Sequence, residues 1–420
     1  MARGIIIDSN KKKAIEAKHH KFIKPKKVYL PVSKGTKILV KKGDYVFKGS
    51  VVAKLSADEF PVISTASGTY LGTVNKKDYK GVLSSFMIIE NDFKERHEKR
   101  VGMKRFLLKY SKEDVIRLLK DNALVGMSGS NFPTYLKYQP KYAVNKLLIN
   151  AMESEPFISS DASVIKYHVE QLLEIIDVLM TLFNLDQADI AINAEYEGVI
   201  RELNLYLGTY PNINLIVLDN RYPLGYEKML IKKVYNAKYD KYPHEVGVII
   251  NNVTTMFNIY RILKFQRPIS ERFITIGGNL IETPLNVTVK IGTLASEVLE
   301  ELGVKPTTDE NVKLVSGGPM RGAAMEDADF VISHSTTGIL FLSDKNNGEA
   351  MECNNCSKCV NVCPVKIAPC MIKRASKAKN KKKLKKLKPN KCMECGLCTY
   401  ICPAKIDLRS VVIKAKGGKV

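Results

Sequence analysis

Two cysteine-rich stretches decide how this chain folds near its carboxyl end: "CNNCSKCVNVCP" at Cys353–Pro364 and "CMECGLCTYICP" at Cys392–Pro403. They share the order C-x2-C-x2-C-x3-C-P and contain eight of the nine cysteines, all of which lie between positions 353 and 402. A disulfide framework would distribute its cysteines along the chain, and structural zinc generally uses pairs of cysteines. The spacing therefore favours another metal centre over either of these alternatives.

The spacing is typical of a ferredoxin with two iron–sulfur clusters. The first three cysteines of each run bind three corners of one [4Fe–4S] cluster, while the fourth reaches the other cluster. We therefore assign Cys353, Cys356, Cys359 and Cys402 to one cluster, and Cys392, Cys395, Cys398 and Cys363 to the other. Cys370 is left over; we interpret it as a packed or free thiol, with a redox or ligand role as the alternative.

The segment between the two runs, "MIKRASKAKNKKKLKKLKPNK" at 371–391, is among the most basic of the chain. The whole chain has 66 Lys and Arg against 43 Asp and Glu, a formal charge of +23. Such an excess predicts an anionic partner or reflects a general bias towards lysine. Lysines beside negatively charged clusters would lower the cost of burying that charge and would guide an acidic redox protein. Nucleic-acid binding is the less favoured alternative, and we expect no nucleic-acid partner.

No apolar run of about 18 residues occurs, so no transmembrane helix is expected. The amino-terminal "MARGIIIDSNKKK" places lysines after a short apolar stretch, the reverse of a signal peptide. These features predict a cytoplasmic protein, with docking on the cytoplasmic face of a membrane complex as one setting.

The rest of the chain divides into three regions by pattern. Short strands at 27–90 predict a barrel-sandwich domain like that of lipoyl carriers, with turns at Gly43, Gly49 and Gly68. The hairpin at 56–68 contains no lysine, so no lipoyl arm is expected. Apolar strands alternating with helices then predict a Rossmann-like parallel α/β sheet that binds ligands at the carboxyl ends of its strands. The predicted domains are 1–100 (barrel-sandwich), 111–265 (α/β), 270–325 (small α+β module) and 345–410 (two-cluster ferredoxin).

Two loops of the α/β region are candidates for binding a ligand. The glycine loop is "GMSGSNFPTYLK", Gly126–Lys137, and the acidic loop is "NAMESEP", Asn150–Pro156, directly after an apolar strand. Backbone N–H groups of a glycine-rich loop and a nearby lysine can bind phosphate. Most glycine-rich loops are only turns, so the loops alone predict no more than a candidate site.

Together these residues resemble the RnfC family, the NADH-facing subunits of Rnf electron-transport complexes, and more distantly the flavoprotein subunit of respiratory complex I. The residues that match the family's loops are Gly126, Gly129, Phe132, Pro133, Thr134 and Lys137, then Asn150, Ala151, Glu153, Ser154, Glu155 and Pro156. Two later motifs also match, at Tyr222, Pro223, Gly225, Glu227, Lys228, Leu230 and Ile231, and at Ser316, Gly317, Gly318, Pro319, Met320 and Gly322.

The resemblance implies four domains in order: a barrel-sandwich, an FMN- and NADH-binding α/β domain, an SLBB β-grasp-like module and a dicluster ferredoxin domain. It implies that NAD(H) exchanges electrons with FMN held between Lys137 and the acidic loop, and that FMN passes them singly to the clusters. Glu153 and Glu155 are the implied catalytic residues, which orient the nicotinamide. The implied cofactor-binding residues are Gly126, Gly129, Phe132, Lys137, Asn150, Glu153, Glu155, Gly225, Glu227 and Lys228.

The chain departs from the family pattern at Ser128, Ser130 and Asn131, where smaller residues are usual, and at Ala162, where a second aspartate often follows Asp161. These departures keep two alternatives open: a PrdC-type electron donor to an amino-acid (proline) reductase, and a non-catalytic ferredoxin-like adaptor without a nucleotide site. The expected partner is a ferredoxin, a flavodoxin or a reductase, or a membrane Rnf-type complex.

Overall fold

The computed structural model describes residues 4–22, 24–55, 60–98, 105–129, 131–308, 310–343 and 349–417. These residues form four β-sheets and a helical carboxyl-terminal region. Ser130 and residues 56–59 of the lysine-free hairpin lie outside the described ranges. Within those ranges, no helix combines the length and the apolar character needed to cross a membrane.

The amino-terminal region contributes one helix and one strand to units that lie further along the chain. These are Lys12–Glu16 (α1) and His20–Phe22 (β1). The next seven strands are Lys27–Val32 (β2), Lys37–Ile38 (β3), Tyr45–Val46 (β4), Val51–Leu55 (β5), Phe60–Ile63 (β6), Gly68–Lys77 (β7) and Leu83–Asn91 (β8).

Strands β2 to β8 form two antiparallel sheets, in the orders β2-β8-β7-β4 and β3-β5-β6, which share one apolar core. Gly43 and Gly49 adopt left-handed φ values of 95° and 93° at turns, as the sequence predicts. Gly68 is instead the first residue of β7 rather than part of a turn. A Cβ there would lie 1.8 Å from the Glu90 carbonyl oxygen, so close strand approach explains this glycine.

The predicted parallel α/β sheet is present, with four strands in the order β11-β10-β9-β12. Its strands are Lys146–Ala151 (β9), Gln187–Asn193 (β10), Ile213–Leu218 (β11) and Val248–Asn252 (β12). The helices of this region are Lys112–Asp121 (α2), Ser160–Phe183 (α3), Glu197–Leu207 (α4), Glu227–Tyr235 (α5) and Val253–Phe265 (α6), with 3-10 turns at Leu107–Lys109, Thr134–Tyr138 and Pro243–Val246. Buried apolar side chains cover the sheet on both faces, as a parallel sheet requires.

A six-stranded mixed sheet follows, in the order β1-β14-β13-β17-β15-β16. Its later elements are Glu271–Gly277 (β13), Leu285–Lys290 (β14), Ala295–Glu301 (α7), Val312–Ser316 (β15), Ala323–Met325 (β16) and Gly338–Ser343 (β17). The sheet therefore continues past residue 325 and takes β1 from the amino-terminal region, pairing it parallel to β14. Sequence patterns did not reveal this long-range pairing.

The carboxyl-terminal region consists of short helices around the cysteines. They are Lys358–Asn361 (α8), Pro369–Lys377 (α9), Lys381–Leu387 (α10), Leu397–Tyr400 (α11) and Leu408–Lys416 (α12), with a 3-10 turn at Pro389–Lys391. A small apolar core under α9, α10 and α12 includes Leu384 and Val412. Two separate cavities lie beside the cysteine runs.

Candidate functional site

The cysteines gather at two cavities, which we call the outer and the inner cavity. The outer cavity is lined by Cys353, Cys356, Cys359 and Cys402, together with Cys370. The inner cavity is lined by Cys363, Cys392, Cys395 and Cys398. Each cavity thus contains three cysteines of one run and the fourth of the other run, which is the crossed arrangement expected for two clusters.

The two cysteine runs repeat the same backbone path. Left-handed φ values occur at Asn355 and Glu394, at Ser357 and Gly396, and at Lys366 and Lys405, which are equivalent positions of the two runs. Helices α8 and α11 begin at the same point of each run and carry the third cysteine. The local sequence therefore builds the same ligand frame twice.

The cysteine thiols are arranged around open space rather than around one point. Among the described residues, no three His, Cys, Asp or Glu side chains converge on a position for a single metal ion. A cubane has an iron at each of several corners, so its ligands surround the cluster. Burial raises the pKa of Cys359 and of Cys395 to about 11, so these thiols release protons when metal binds.

The two cavities differ in their surroundings. Cys356 of the outer cavity is exposed, whereas Cys395 of the inner cavity is buried. The Tyr222 hydroxyl donates a hydrogen bond of 2.5 Å to the carbonyl oxygen of Cys395. The residues 392–398, which we call the inner cluster loop, pack tightly against the loop at 316–322. A Cβ at Gly396 would lie 2.5 Å from the Met320 carbonyl oxygen.

A backbone hydrogen bond joins the two ends of the turn in the glycine loop, and the backbone at Gly129 is left accessible. The Gly126 N–H donates to the Phe132 carbonyl oxygen at 2.8 Å. Gly129 and Asn131 have left-handed φ values of 99° and 51°. This conformation favours glycine, but asparagine adopts it more readily than most other residues. A Cβ at Gly129 would meet no atom of the described residues within 4 Å, so a ligand can approach this backbone.

Lys137 lies at the sheet edge, below the glycine loop. Its Nζ donates to the Ile250 carbonyl oxygen at 2.8 Å and lies 3.1 Å from a Glu227 carboxylate oxygen. The structure therefore brings the predicted residues Lys137 and Glu227 together. Lys228, on the next position, points elsewhere: its Nζ donates to the Asp240 carbonyl oxygen at 2.6 Å.

The acidic loop is joined to the Tyr222–Glu227 segment by two hydrogen bonds. The Asn150 side-chain N–H donates to the Gly225 carbonyl oxygen at 2.7 Å, and the Gly225 N–H donates to the Ser154 hydroxyl at 3.3 Å. A Cβ at Gly225 would lie 2.8 Å from the Ser154 hydroxyl. These contacts place Gly225, with Glu227 two residues further on, beside Asn150 at the carboxyl end of β9.

The Glu153 carboxylate points towards the amino terminus of α3. It accepts hydrogen bonds from the Ser160 hydroxyl at 2.8 Å, from the Asp161 N–H at 3.0 Å and from the Ala162 N–H at 3.4 Å. A carboxylate is stabilised at a helix amino terminus by these unpaired N–H groups and by the helix dipole. The contact with Ala162 uses only the backbone, so the absence of a second aspartate there does not weaken it.

The Glu155 carboxylate is buried between the acidic loop and the loop at 316–322. One oxygen, Oε2, accepts a hydrogen bond from the Met320 N–H at 2.9 Å. The other, Oε1, has no hydrogen-bond partner among the described residues. Burial raises the pKa of this carboxyl group above its ordinary value, although the Met320 N–H and nearby arginines oppose the shift. A buried oxygen without a partner is costly unless a ligand or solvent supplies a donor.

These observations fit a bound flavin nucleotide. The open backbone at Gly129, the ammonium of Lys137 and the unsatisfied oxygen of Glu155 lie on loops at the carboxyl edge of a parallel sheet, where such folds bind nucleotides. Their individual roles stay predictions. Glu153 and Glu155 both make internal contacts, which the sequence did not indicate.

Sequence reasoning missed Lys11, which lies directly beneath the acidic loop. This residue is 2% exposed, and its Nζ donates to the Glu153 carbonyl oxygen and, at 3.1 Å, to the Tyr196 hydroxyl. Lys12 and Lys13 follow it and are exposed. Nothing in the run of three lysines distinguishes the buried one, and only the course of the chain identifies it.

A parallel α/β domain with two candidate nucleotide-binding loops, packed against a domain with two cysteine-lined cavities, is the arrangement expected of an iron–sulfur flavoprotein. Three sequence families match the chain in agreement with this class. Residues 1–94 match the "RnfC Barrel sandwich hybrid domain", residues 119–261 the "Nuo51 FMN-binding domain" and residues 352–406 the "4Fe-4S dicluster domain". The chain is therefore similar to the RnfC family, as its loop and cysteine motifs indicate.

Named relatives agree with this assignment. The C subunit of the proton-translocating ferredoxin:NAD(+) oxidoreductase complex of Clostridium ljungdahlii is 29% identical, over 83% of this chain and 78% of that protein. The corresponding subunit of the Na(+)-translocating ferredoxin:NAD(+) oxidoreductase complex of Acetobacterium woodii is 27% identical, over 83% and 81%. A solved structure of an NAD+-reducing [NiFe]-hydrogenase is similar in fold, with a TM-score of 0.51 and 15% identity. That similarity covers 76% of this chain and 64% of the hydrogenase chain.

Proposed function

We propose that this protein is an electron-transfer subunit that connects NAD(H), through FMN, to two [4Fe–4S] clusters and then to a redox partner. FMN, when bound, links a two-electron donor to one-electron acceptors, and the clusters carry single electrons. The observation that supports this proposal most directly is the contact between the inner cluster loop and the Tyr222–Glu227 segment, where the Tyr222 hydroxyl donates to the Cys395 carbonyl oxygen.

In this proposal the chain's residues place the nucleotide and exclude water. The left-handed backbone at Gly129 and Asn131 lets the glycine loop approach the flavin, and Lys137 supplies positive charge near the phosphate. Asn150 holds the Gly225 segment, which forms the opposite wall. Glu155, with its unsatisfied oxygen, is the carboxylate available to accept a hydrogen bond from the nicotinamide nucleotide.

The surroundings of the cavities suggest an order for the clusters. The residues that line the inner cavity contact the Tyr222–Glu227 segment through Cys395, whereas the outer cavity is lined by the exposed Cys356. We therefore place the inner cluster next to the flavin and the outer cluster next to the partner. The reduction potentials of the cofactors set the direction of net electron flow.

The lysine-rich segment is the proposed contact for an acidic redox protein. Exposed lysines from Lys377 to Lys391 surround α10, whose Leu384 and Leu387 pack with the cluster-ligand candidates Cys363 and Cys392. A positive surface close to a redox centre increases the rate of encounter with an acidic carrier. Because the relatives are named as subunits of ion-translocating complexes, we propose a cytoplasmic chain that docks on an Rnf-type membrane complex.

We also propose that the six-stranded sheet, with α7 packed on it, is an SLBB-type β-grasp module. Its mixed strand order and its position between the α/β region and the clusters support this assignment. Its loop at 316–322 contacts both Glu155 and the inner cluster loop, so the module would connect the two redox regions.

Anaerobically reconstituted protein tests the proposal. We expect about eight iron atoms and one FMN per chain, and bleaching of the cluster absorption band by NADH. Lys137→Gln should lower the FMN content and leave the iron unchanged, because Lys137 contacts Ile250 and Glu227 and does not line either cysteine cavity. About eight iron atoms without FMN, and without a response to NADH, would contradict the proposal and support the adaptor alternative. A PrdC-type donor would show the flavin response and reduce an amino-acid reductase.

A further inference from the structure

The amino-terminal residues 4–22, which we call the strap, cross the back of the nucleotide loops. Ile5 and Tyr222 exchange two backbone hydrogen bonds, of 3.0 and 2.9 Å. The Phe157 N–H, just after the acidic loop, donates to the Ser9 carbonyl oxygen at 2.6 Å. The strap therefore contacts both the acidic loop and the Tyr222–Glu227 segment.

Lys11 is the buried charge of the strap. Besides its hydrogen bonds to Glu153 and Tyr196, its Nζ lies 5.4 Å from the centre of the Tyr196 ring. Burial lowers the pKa of the Lys11 ammonium from its ordinary value, and the nearby Glu153 carboxylate opposes that shift. Burying an ammonium group is unfavourable unless close partners compensate for lost hydration. A buried lysine at this place therefore calls for a structural or functional reason.

The contacts of Lys11 converge on Glu153 by two routes. Its ammonium donates to the Glu153 carbonyl oxygen directly. It also donates to the Tyr196 hydroxyl, which in turn donates to the Glu153 carboxylate at 3.1 Å. Glu153 has a left-handed φ of 35°, a conformation that a residue with a side chain keeps only when its surroundings hold it.

Glu153 lies between two residues of the acidic loop, Asn150 and Ser154, that contact the Tyr222–Glu227 segment. Asn150 and Ser154, on either side of it, make the two hydrogen bonds to Gly225, and Glu155 follows with its unsatisfied oxygen. A change of the backbone at Glu153 would rotate Ser154 and Glu155 away from these positions. The Lys11 side chain contacts the acidic loop at Glu153, directly before Ser154 and Glu155.

We propose that Lys11 is a positioning residue for the nucleotide site, which holds the acidic loop in its binding conformation through Glu153 and Tyr196. This inference rests on the proposed function, because it requires that the loop binds FMN and NAD(H). Lys11 acts through the loop, because its ammonium contacts Glu153 and Tyr196.

The test compares Lys11→Met, which keeps the length and removes the charge, with Lys11→Arg and with the exposed neighbour variant Lys12→Met. Wild-type affinity for FMN is measured first by quenching of flavin fluorescence. Lys11→Met should weaken FMN binding at least about tenfold, because it removes the charged donor to the Glu153 carbonyl oxygen and the Tyr196 hydroxyl. It should also shift the FMN midpoint potential, with unchanged iron content. Lys11→Arg should restore part of the affinity, and Lys12→Met should behave as wild type.

Three results separate this inference from the proposed function. A wild-type chain that binds no FMN contradicts both. FMN affinity and potential that are unchanged in Lys11→Met contradict this inference alone, even when the melting temperature falls, because a purely structural role would lower stability only. If Lys11→Met does not fold, Tyr196→Phe removes one of the two routes without loss of volume. It should weaken FMN binding in the same direction, and wild-type affinity in that variant would overturn the inference.

Discussion

The cluster region and the nucleotide region of this protein are assembled in opposite ways. The cluster region takes its candidate ligands from positions 353–402, with the same backbone path in both runs. The nucleotide region combines the strap, the glycine loop, the acidic loop and the Tyr222–Glu227 segment, which are far apart in the sequence. The comparison shows that metal ligands at a fixed local spacing can be predicted from the sequence, whereas a site formed by distant loops depends on tertiary packing.

The contact between the two regions is equally specific. The loop at 316–322 packs against Gly396 of the inner cluster loop, and its Met320 N–H donates a hydrogen bond to the Glu155 carboxylate. Arg409, at the start of α12, donates to the Glu394 carbonyl oxygen at 3.1 Å and to the Arg321 carbonyl oxygen at 3.3 Å. The two regions therefore share a loop, so a change there should affect electron transfer without removing either cofactor.

The largest effect should come from breaking the local ligand frame. Cys363→Ala removes the ligand that crosses to the inner cluster, and we expect about half of the iron to be lost. Cys370→Ala is the matched control, because Cys370 lies in the outer cavity as a fifth cysteine and should leave the iron content near the wild-type value. Iron analysis with electron paramagnetic resonance after dithionite reduction measures both. Equal iron loss in the two variants would contradict the assignment of the ligands.

A smaller effect should come from separating the two regions. Gly396 has a φ of 81°, and a Cβ there would lie 2.5 Å from the Met320 carbonyl oxygen, so Gly396→Ala must displace the inner cluster loop. We expect NADH-driven reduction of the clusters to slow at least about tenfold in stopped-flow measurements, with FMN and iron retained, because small displacements of reacting groups cost rate.

Gly303→Ala is the control for that displacement. Gly303 has a left-handed φ of 62°, but a Cβ there would meet no described atom within 4 Å. This variant should lose about 1 kcal/mol of stability from backbone strain and keep the wild-type rate. If Gly396→Ala reduced the clusters as fast as Gly303→Ala, the packing at Met320 would not limit transfer.

The smallest effect concerns the surface rather than either cofactor. Replacing Lys381, Lys382, Lys385 and Lys386 by glutamine should slow electron transfer to an acidic plant-type [2Fe–2S] ferredoxin several-fold at low salt, and should flatten the salt dependence. The control replaces four exposed lysines of the barrel-sandwich domain, Lys34, Lys37, Lys41 and Lys42. Equal slowing in both variants would show that net charge, and not the lysine-rich segment, guides the partner.

The sequence by itself determined the parts of this protein whose geometry follows from neighbouring residues. The cysteine spacing predicts two cavities with crossed ligands, and the alternation of apolar strands with helices predicts the parallel sheet. In each case the physical cause acts between residues close together in the sequence, so the sequence pattern predicts the structure.

Only the tertiary structure decided the orientation of the acidic residues and the choice of the buried lysine. Glu153 caps α3 and Glu155 meets Met320, although both carboxylates look equally available in the sequence. Lys11 is buried while Lys12 and Lys13 face solvent, because the strap passes beneath the acidic loop at that one residue. Burial and hydrogen bonding between distant segments depend on where the chain returns to itself, and no local pattern contains that information.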